Sequence, residues 1–350
     1  RPSYPGRHTP AVTPPAAPAG TVIARISQAA MGPGTPHHTA VPDAEGHPMN
    51  TRSNGDVAVR DVALRDGLQL TEGRLGTAGK VELVRTLLRS GVPELEVGSM
   101  ARPDLVPALA DTLDVIGALD EAERDRCWVW VATPGHVRRA ADAGVRRFQY
   151  CLSVTDAHNR ANIGRDVETS MAALPEAVRA ADAVGGKVQL CLATAFTCPL
   201  TGPVEPGRVL ELIADPRGAG TVDVVVADTL GQAHPRQVGE LVAAAVGPAA
   251  GRRIVFHGHD TWGMGVANAL AAVEAGAGMV DSALGGLGGC PFAPGASGNT
   301  ATEDLLFALR PDWLDPEGFH DLVRAGDRML AELGERSRSR AFSRARSVCS

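Results

Sequence analysis

Val57-Ala58-Val59-Arg60-Asp61-Val62-Ala63-Leu64-Arg65-Asp66-Gly67-Leu68-Gln69 is the first regular stretch of the chain. Its β-branched and apolar run, 57–64, reads as a strand. The residues just after that strand bear on the architecture. A doubly wound sheet would place a glycine fingerprint there, whereas this chain places a cation and a carboxylate, Arg65 and Asp66. Beyond them come seven more β-rich runs, at 94–98, 128–132, 147–154, 187–195, 222–227, 254–258 and 279–284. Segments of helical period lie between the runs and after the last, near 77–90, 103–119, 135–143, 166–184, 205–214, 234–247, 262–276 and 301–309. Eight strands alternating with eight helices over roughly 250 residues predict a (β/α)8 TIM barrel of the α/β class.

Local signals agree with this division. Pro134, Pro206 and Pro235 stand at helix starts, where a missing N–H costs least, and Gly91, Gly144 and Gly276 stand where helices should stop. The barrel domain is expected to span 56–334, closing with one further helix near 311–334. A polar tail rich in Arg and Ser occupies 335–350. Residues 1–55 hold ten of the 25 prolines and no sustained apolar period, so they are expected to form a disordered extension. That segment has no apolar core of secretory type, and its sparse arginines with Asp43 and Glu45 fit a transit peptide poorly.

A net charge of −6, with 44% hydrophobic and 21% charged residues, fits a globular enzyme. It argues against nucleic acid or an anionic membrane as the main partner. No apolar run is long enough to span a bilayer. Six irregularly spaced cysteines without a CxxC do not form a disulfide framework, so reduced thiols and a cytoplasmic location are expected.

In a TIM barrel, chemistry gathers at the C-terminal ends of strands. The strongest local signal is His257-Gly258-His259-Asp260, at the end of the seventh run. Residues two apart on a strand share a face, so both imidazoles project together as half of a metal site. The plain alternative is two histidines satisfied by ordinary hydrogen bonds. Asp66 supplies a hard carboxylate, and Arg65 a fixed cation for a developing oxyanion. Glu96 and Asp228 close the second and sixth runs. Asp228 is equally readable as a cap for the helix near His234.

After the eighth run comes Gly285-Gly286-Leu287-Gly288-Gly289-Cys290-Pro291-Phe292. So many glycines mark a loop that can move or bring its backbone close to a ligand. Cys290 on such an element could be tuned for proton transfer; the alternative is a phosphate cradle with an incidental cysteine. Asn299 is either an N-cap or a carbonyl-oxygen ligand. Cys127, Cys151 and Cys191 lie at or within strands, where free cysteine is usually a small core residue.

Over about residues 57–310 these segments resemble the hydroxymethylglutaryl-CoA lyase family of metal-dependent TIM-barrel lyases. The resemblance rests on Leu64-Arg65-Asp66-Gly67-Leu68-Gln69, Leu95-Glu96-Val97-Gly98-Ser99, Ala227-Asp228-Thr229-Leu230-Gly231, His257-Gly258-His259-Asp260-Thr261 and, most specifically, 285–304. Carried over position by position, it implies that Asp66, His257, His259 and Asn299 bind Mg2+ or Mn2+. Arg65 would stabilise an enolate oxygen, with Gln69, Glu96 and Asp228 organising the site. Cys290 would close over the substrate and move a proton, and His257 is a candidate base. Arg160 and Asn162 match the family's Lys/Arg-x-Asn-Ile segment, which makes Asn162 a substrate-binding candidate.

The implied reaction is retro-Claisen cleavage of 3-hydroxy-3-methylglutaryl-CoA, or a close relative, to acetyl-CoA and acetoacetate. An acyl-CoA partner and a homodimer are implied by the resemblance alone. The chain departs from it at Leu70-Thr71-Glu72, where the family commonly has Asn-Glu-Lys. Arginines such as Arg74 or Arg160 would then have to meet the CoA phosphates. Rival readings are an acetyl-CoA-dependent 2-oxoacid condensing synthase, a 4-hydroxy-2-oxoacid aldolase and a non-catalytic binding barrel. The synthases generally carry long C-terminal extensions, whereas about forty residues remain here after the barrel.

Overall fold

The computed structural model describes residues 57–289 and 298–341. The extension expected at 1–55 lies outside them, as does Cys290. Eight parallel strands close into a barrel: Ala58–Asp61, Glu94–Ser99, Cys127–Val131, Arg147–Ser153, Lys187–Ala193, Asp223–Asp228, Arg253–Gly258 and Met279–Ser282. They stand in chain order, and the first meets the last with Ala58 opposite Met279 and Asp61 opposite Ser282. The fold is the (β/α)8 barrel that the alternation predicts.

Side-chain alternation explains why the sheet closes. On the fourth strand Phe148, Tyr150 and Leu152 point outward beside Val188, Leu190 and Leu192 of the fifth, packing in the layer beneath the helices. The Tyr150 hydroxyl is satisfied there by the Ser170 carbonyl at 2.9 Å. The residues between them face inward, and the interior they fill is unusually polar. Arg60, wholly buried, clamps both oxygens of Asp281 at 2.9 Å and also donates to Gln189 at 2.9 Å. Gln149 continues the network to Glu96 at 2.6 Å.

Helix ends agree with the local signals. Gly91, Gly144 and Gly276 take φ of +94°, +97° and +111° just past helices Thr77–Arg89, Pro134–Asp142 and Gly265–Glu274, a conformation that favours glycine. Helices Pro206–Ala214, Pro235–Val246 and Thr302–Leu309 also stand close to their expected places.

Several elements differ from expectation. The first strand ends at Asp61, because the Asp61 carboxylate accepts from Ala63 N at 2.9 Å and turns the chain into a π-helical turn, Ala63–Gly67. The helix expected over 103–119 breaks into Pro107–Leu109 and Thr112–Gly117. Pro107 has no N–H to donate, and the Thr112 hydroxyl bonds the Leu109 carbonyl at 2.7 Å while accepting from Ser99 N. Asp156–Ile163, assigned to no element in the sequence, is a helix capped by Thr155 and closed by Gly164 at φ +75°. A two-stranded hairpin, Thr197–Cys198 with Gly202–Pro203, was also unforeseen. Beyond the last helix, Pro316–Leu333, the segment 337–341 binds the barrel. Arg338 N donates to Gly285 O, and the Asp304 carboxylate accepts from Ser339 Oγ and Arg340 N.

Candidate active site

The π-helical turn after the first strand carries Asp66 over the barrel mouth, where it stays buried. Its Oδ1 accepts from Arg65 Nη1 at 2.6 Å and from Gln69 Nε2 at 2.9 Å. Its Oδ2 accepts from Asn299 Nδ2 at 2.8 Å and faces His259 Nε2 at 3.2 Å. His257 and His259 share one face at the end of the seventh strand, their ring centroids 5.2 Å apart. One ligand atom each from Asp66, His257 and His259 falls within a group spanning 4.8 Å. Asn299 reaches this group because its backbone bridges His259 antiparallel and Thr300 N donates to Gly258 O.

Behind this face lies a supporting layer. His257 Nδ1 sits 3.1 Å from Asp281 Oδ2, which fixes the ring and leaves its other nitrogen toward the cluster. Arg65 Nη2 lies 2.6 Å from Glu96 Oε2, while Arg65 Nε is buried without an acceptor. Arg65 is thus held by two carboxylates, with its Nε–H left unpaired.

The electrostatics of the site come from burial and from these partners. Burial alone would raise the Asp66 carboxyl, but the Arg65 charge and the hydrogen bond with His259 outweigh it and hold it well below the usual range. Burial would lower His257; its hydrogen bond to Asp281 and the charge on Asp66 raise it instead. Glu96 is raised, because burial exceeds the pull of Arg65 and Arg60. Burial also raises Asp228, whose two oxygens accept from Gln232 N at 3.1 Å and Ala233 N at 3.0 Å. Asp228 therefore shapes the loop that leads to Pro235–Val246, while His234 caps that helix.

Of the residues singled out in the sequence, the fold brings Arg65, Asp66, Gln69, Glu96, His257, His259 and Asn299 together, with Asp228 at the edge. Asn162 and Arg160 are exposed on helix Asp156–Ile163, where Arg160 pairs with Asp166 at 2.9 Å. Arg74 is exposed as well. Asp281, Arg60 and Gln149 were missed. The available signal was a charge or amide in the middle of an otherwise apolar strand, an expensive placement unless it is paired.

The donor set suits a divalent cation. It combines two imidazoles, a carboxylate and an amide, and the Asn299 carbonyl oxygen and His259 Nδ1 are both buried without partners. Carboxylate and amide oxygens suit hard divalent ions, and imidazoles suit transition metals. A carboxylate kept ionised by Arg65, with two imidazoles close by and the Asn299 amide beside it, fits such an ion.

Comparison with known proteins agrees with this geometry. The HMGL-like family profile matches residues 56–325. The mitochondrial hydroxymethylglutaryl-CoA lyase of Arabidopsis thaliana is 32% identical over 291 residues, 81% of this chain. The chain spans 61% of that relative's length. The (R)-citramalyl-CoA lyase of Chloroflexus aurantiacus is 34% identical over 292 residues, covering 79% of this chain and 91% of the relative. The crystal structure of the Bacillus subtilis HMG-CoA lyase superposes with a TM-score of 0.76 at 29% identity, over 82% of this chain and 96% of that one. With a family profile spanning the barrel and relatives at this identity, the chain belongs to the HMGL-like family.

Proposed function

We propose that this protein is a divalent-metal-dependent carbon–carbon lyase that cleaves 3-hydroxy-3-methylglutaryl-CoA, or a closely related 3-hydroxyacyl-CoA, to acetyl-CoA and an oxo acid. The observation that carries this reading is the convergence of Asp66, His257 and His259 on one small volume beside Arg65. The relatives' names support CoA-ester lyase chemistry, and the citramalyl-CoA relative keeps the acyl group open.

In this reading Asp66, His257, His259 and Asn299 hold Mg2+ or Mn2+, which supplies Lewis-acid polarisation of the substrate hydroxyl, worth several kcal/mol of barrier. Arg65, braced by Asp66 and Glu96, turns its unpaired Nε and remaining N–H groups to the thioester oxygen, where charge develops as the C2–C3 bond breaks. The hydroxyl proton passes to a buried carboxylate beside the ion, Glu96 or Asp228, while His257, with Nδ1 on Asp281 and its other nitrogen toward the ion, serves as a ligand. Each such positioned acid or base contributes a factor of roughly 10² to 10⁴. Gln69 holds Asp66 in place. Cys290 protonates C2 of the departing enolate; it lies outside the described residues, and its role rests on its place in the glycine loop. A CoA ester would be held over the mouth by the loops at the C-terminal ends of the strands.

The test is to incubate the full chain with Mg2+ or Mn2+ and a panel of hydroxyacyl-CoA esters, including the hydroxymethylglutaryl and citramalyl esters, while monitoring acetyl-CoA release. Metal-dependent release of acetyl-CoA, with acetoacetate from the hydroxymethylglutaryl ester, is expected. No release from any ester in the presence of metal would overturn the lyase reading. Release from the citramalyl ester alone would replace the substrate within the same chemistry.

A further inference from the structure

Cys151 and Cys191 sit inside the barrel and play no part in the lyase reading. They are register partners on the neighbouring fourth and fifth strands, so their side chains stand abreast on the inner face. There they pack with Ala193, Val225, Val255 and Met279, and Trp130 lies alongside. Neither is in a disulfide. Gln149 and Gln189, one step down the same strands, are 1% and 0% exposed, whereas the thiols keep 5% and 6%. Their open side is therefore toward the barrel mouth. The Arg65 charge reaches both thiols and favours their ionised forms.

Strand geometry sets what this pair can do. Adjacent strands run ~4.7–4.9 Å apart, and two sulfurs each bound at ~2.3 Å to one shared centre span that gap without moving the strands. The thiols already behave as a unit. Their mutual hydrogen bond holds Cys151 below the ordinary thiol range and, together with burial, pushes Cys191 well above it.

We propose that Cys151 and Cys191 form a two-thiol site inside the barrel that captures a soft, thiophilic metal or metalloid centre, with trivalent arsenic as the type ligand. With an organic arsenic(III) oxide, two S–As bonds form, and the two thiol protons leave with the arsenic-bound oxygen as water. No electrons are transferred, so the step needs no oxidant. Capture does not depend on the lyase reading. Cys127 is fully buried with its thiol pushed up to about 12 by burial, and neither Cys127 nor Cys198 is a register partner of another cysteine.

The probe is phenylarsine oxide on the full chain, then excess 2-mercaptoethanol to strip single-thiol adducts, and then intact mass. One phenylarsine group should survive on the wild type and come off with 2,3-dimercaptopropanol. Cys151→Ser and Cys191→Ser should each lose it, while a variant with serine at 127, 198, 290 and 349 should keep it. If a variant fails to fold, wild-type protein can be alkylated after arsenical treatment, released with the dithiol and relabelled. Peptide mapping should then find the second label on Cys151 and Cys191. Absence of a monothiol-resistant adduct on the wild type, its survival in a folded single variant, or a second label on other cysteines would overturn the proposal.

Discussion

His259 presents one ring nitrogen to Asp66 Oδ2 at 3.2 Å and leaves the other buried without a partner. A buried polar atom left unpaired costs about 1–3 kcal/mol, so the cluster is arranged for something other than its own stability. If a cation is that partner, His259→Ala should reduce Mn2+ affinity by at least about 10-fold, since changes even behind metal ligands commonly cost ~10–100-fold. Isothermal titration of the full chain with Mn2+ measures this, and unchanged affinity would remove His259 from the ligand set. The two histidines were legible in the sequence because the two-residue period of a strand puts side chains on one face, and Asp66 because it follows the first strand. Asp281 was not. Its partner Arg60 is 221 positions away in the chain, and nothing local announces that two buried charges will meet.

The loop leaving the eighth strand is anchored by the next helix. Glu303, in the first turn of Thr302–Leu309, accepts from Gly285 N with both oxygens at 3.0 and 2.9 Å, and Gly285 takes φ +61°. Burial pushes the Glu303 carboxyl up to about 8, with the Asp61 and Asp304 charges adding to the effect. An acid with a raised folded-state pKa binds its proton more tightly when folded. The fold is therefore favoured below the unfolded value of about 4.3 and loses that contribution as pH climbs toward 8. Glu303→Gln removes the titration and keeps one acceptor oxygen. Urea unfolding at pH 5.5 and 8.0 should show a clear loss of stability for the wild type and a smaller loss for the variant; equal losses would show that Glu303 does not titrate in this window. Elements with sharp local punctuation were read closely, among them Pro134–Asp142 and Pro235–Val246, each opened by its proline. Helix Asp156–Ile163 carried the same kind of marks, Thr155 and Gly164, but only eight residues between them, too few for an apolar period to emerge. The segment 103–119 failed for the opposite reason. Its period was present, but Pro107 and the Thr112 hydroxyl diverted the backbone.

Across the barrel, inward-facing polar groups run from its centre to its mouth. Arg60 clamps Asp281, which in turn fixes His257; Gln149 links the same arginine to Glu96, which braces Arg65 beside Asp66. A wholly apolar filling would satisfy the fold, but it could not orient an imidazole and a guanidinium from beneath. Barrel centre and candidate site are thus one hydrogen-bonded body, and disturbance at the centre should be felt at the mouth. Arg60→Ala removes one partner of a fully buried pair and strands Asp281, a change that costs about 3–5 kcal/mol in comparable settings. Arg60→Lys keeps the charge but loses the two-pronged grip on Asp281, so it should recover part of the stability and little of the alignment. Urea unfolding should rank wild type above lysine above alanine. Mn2+ titration of the folded lysine variant should show weaker binding, although the substituted residue is not itself a ligand. A lysine variant that binds Mn2+ as tightly as the wild type would mean that Asp281 holds His257 without help from Arg60, and that the interior network supports the barrel alone.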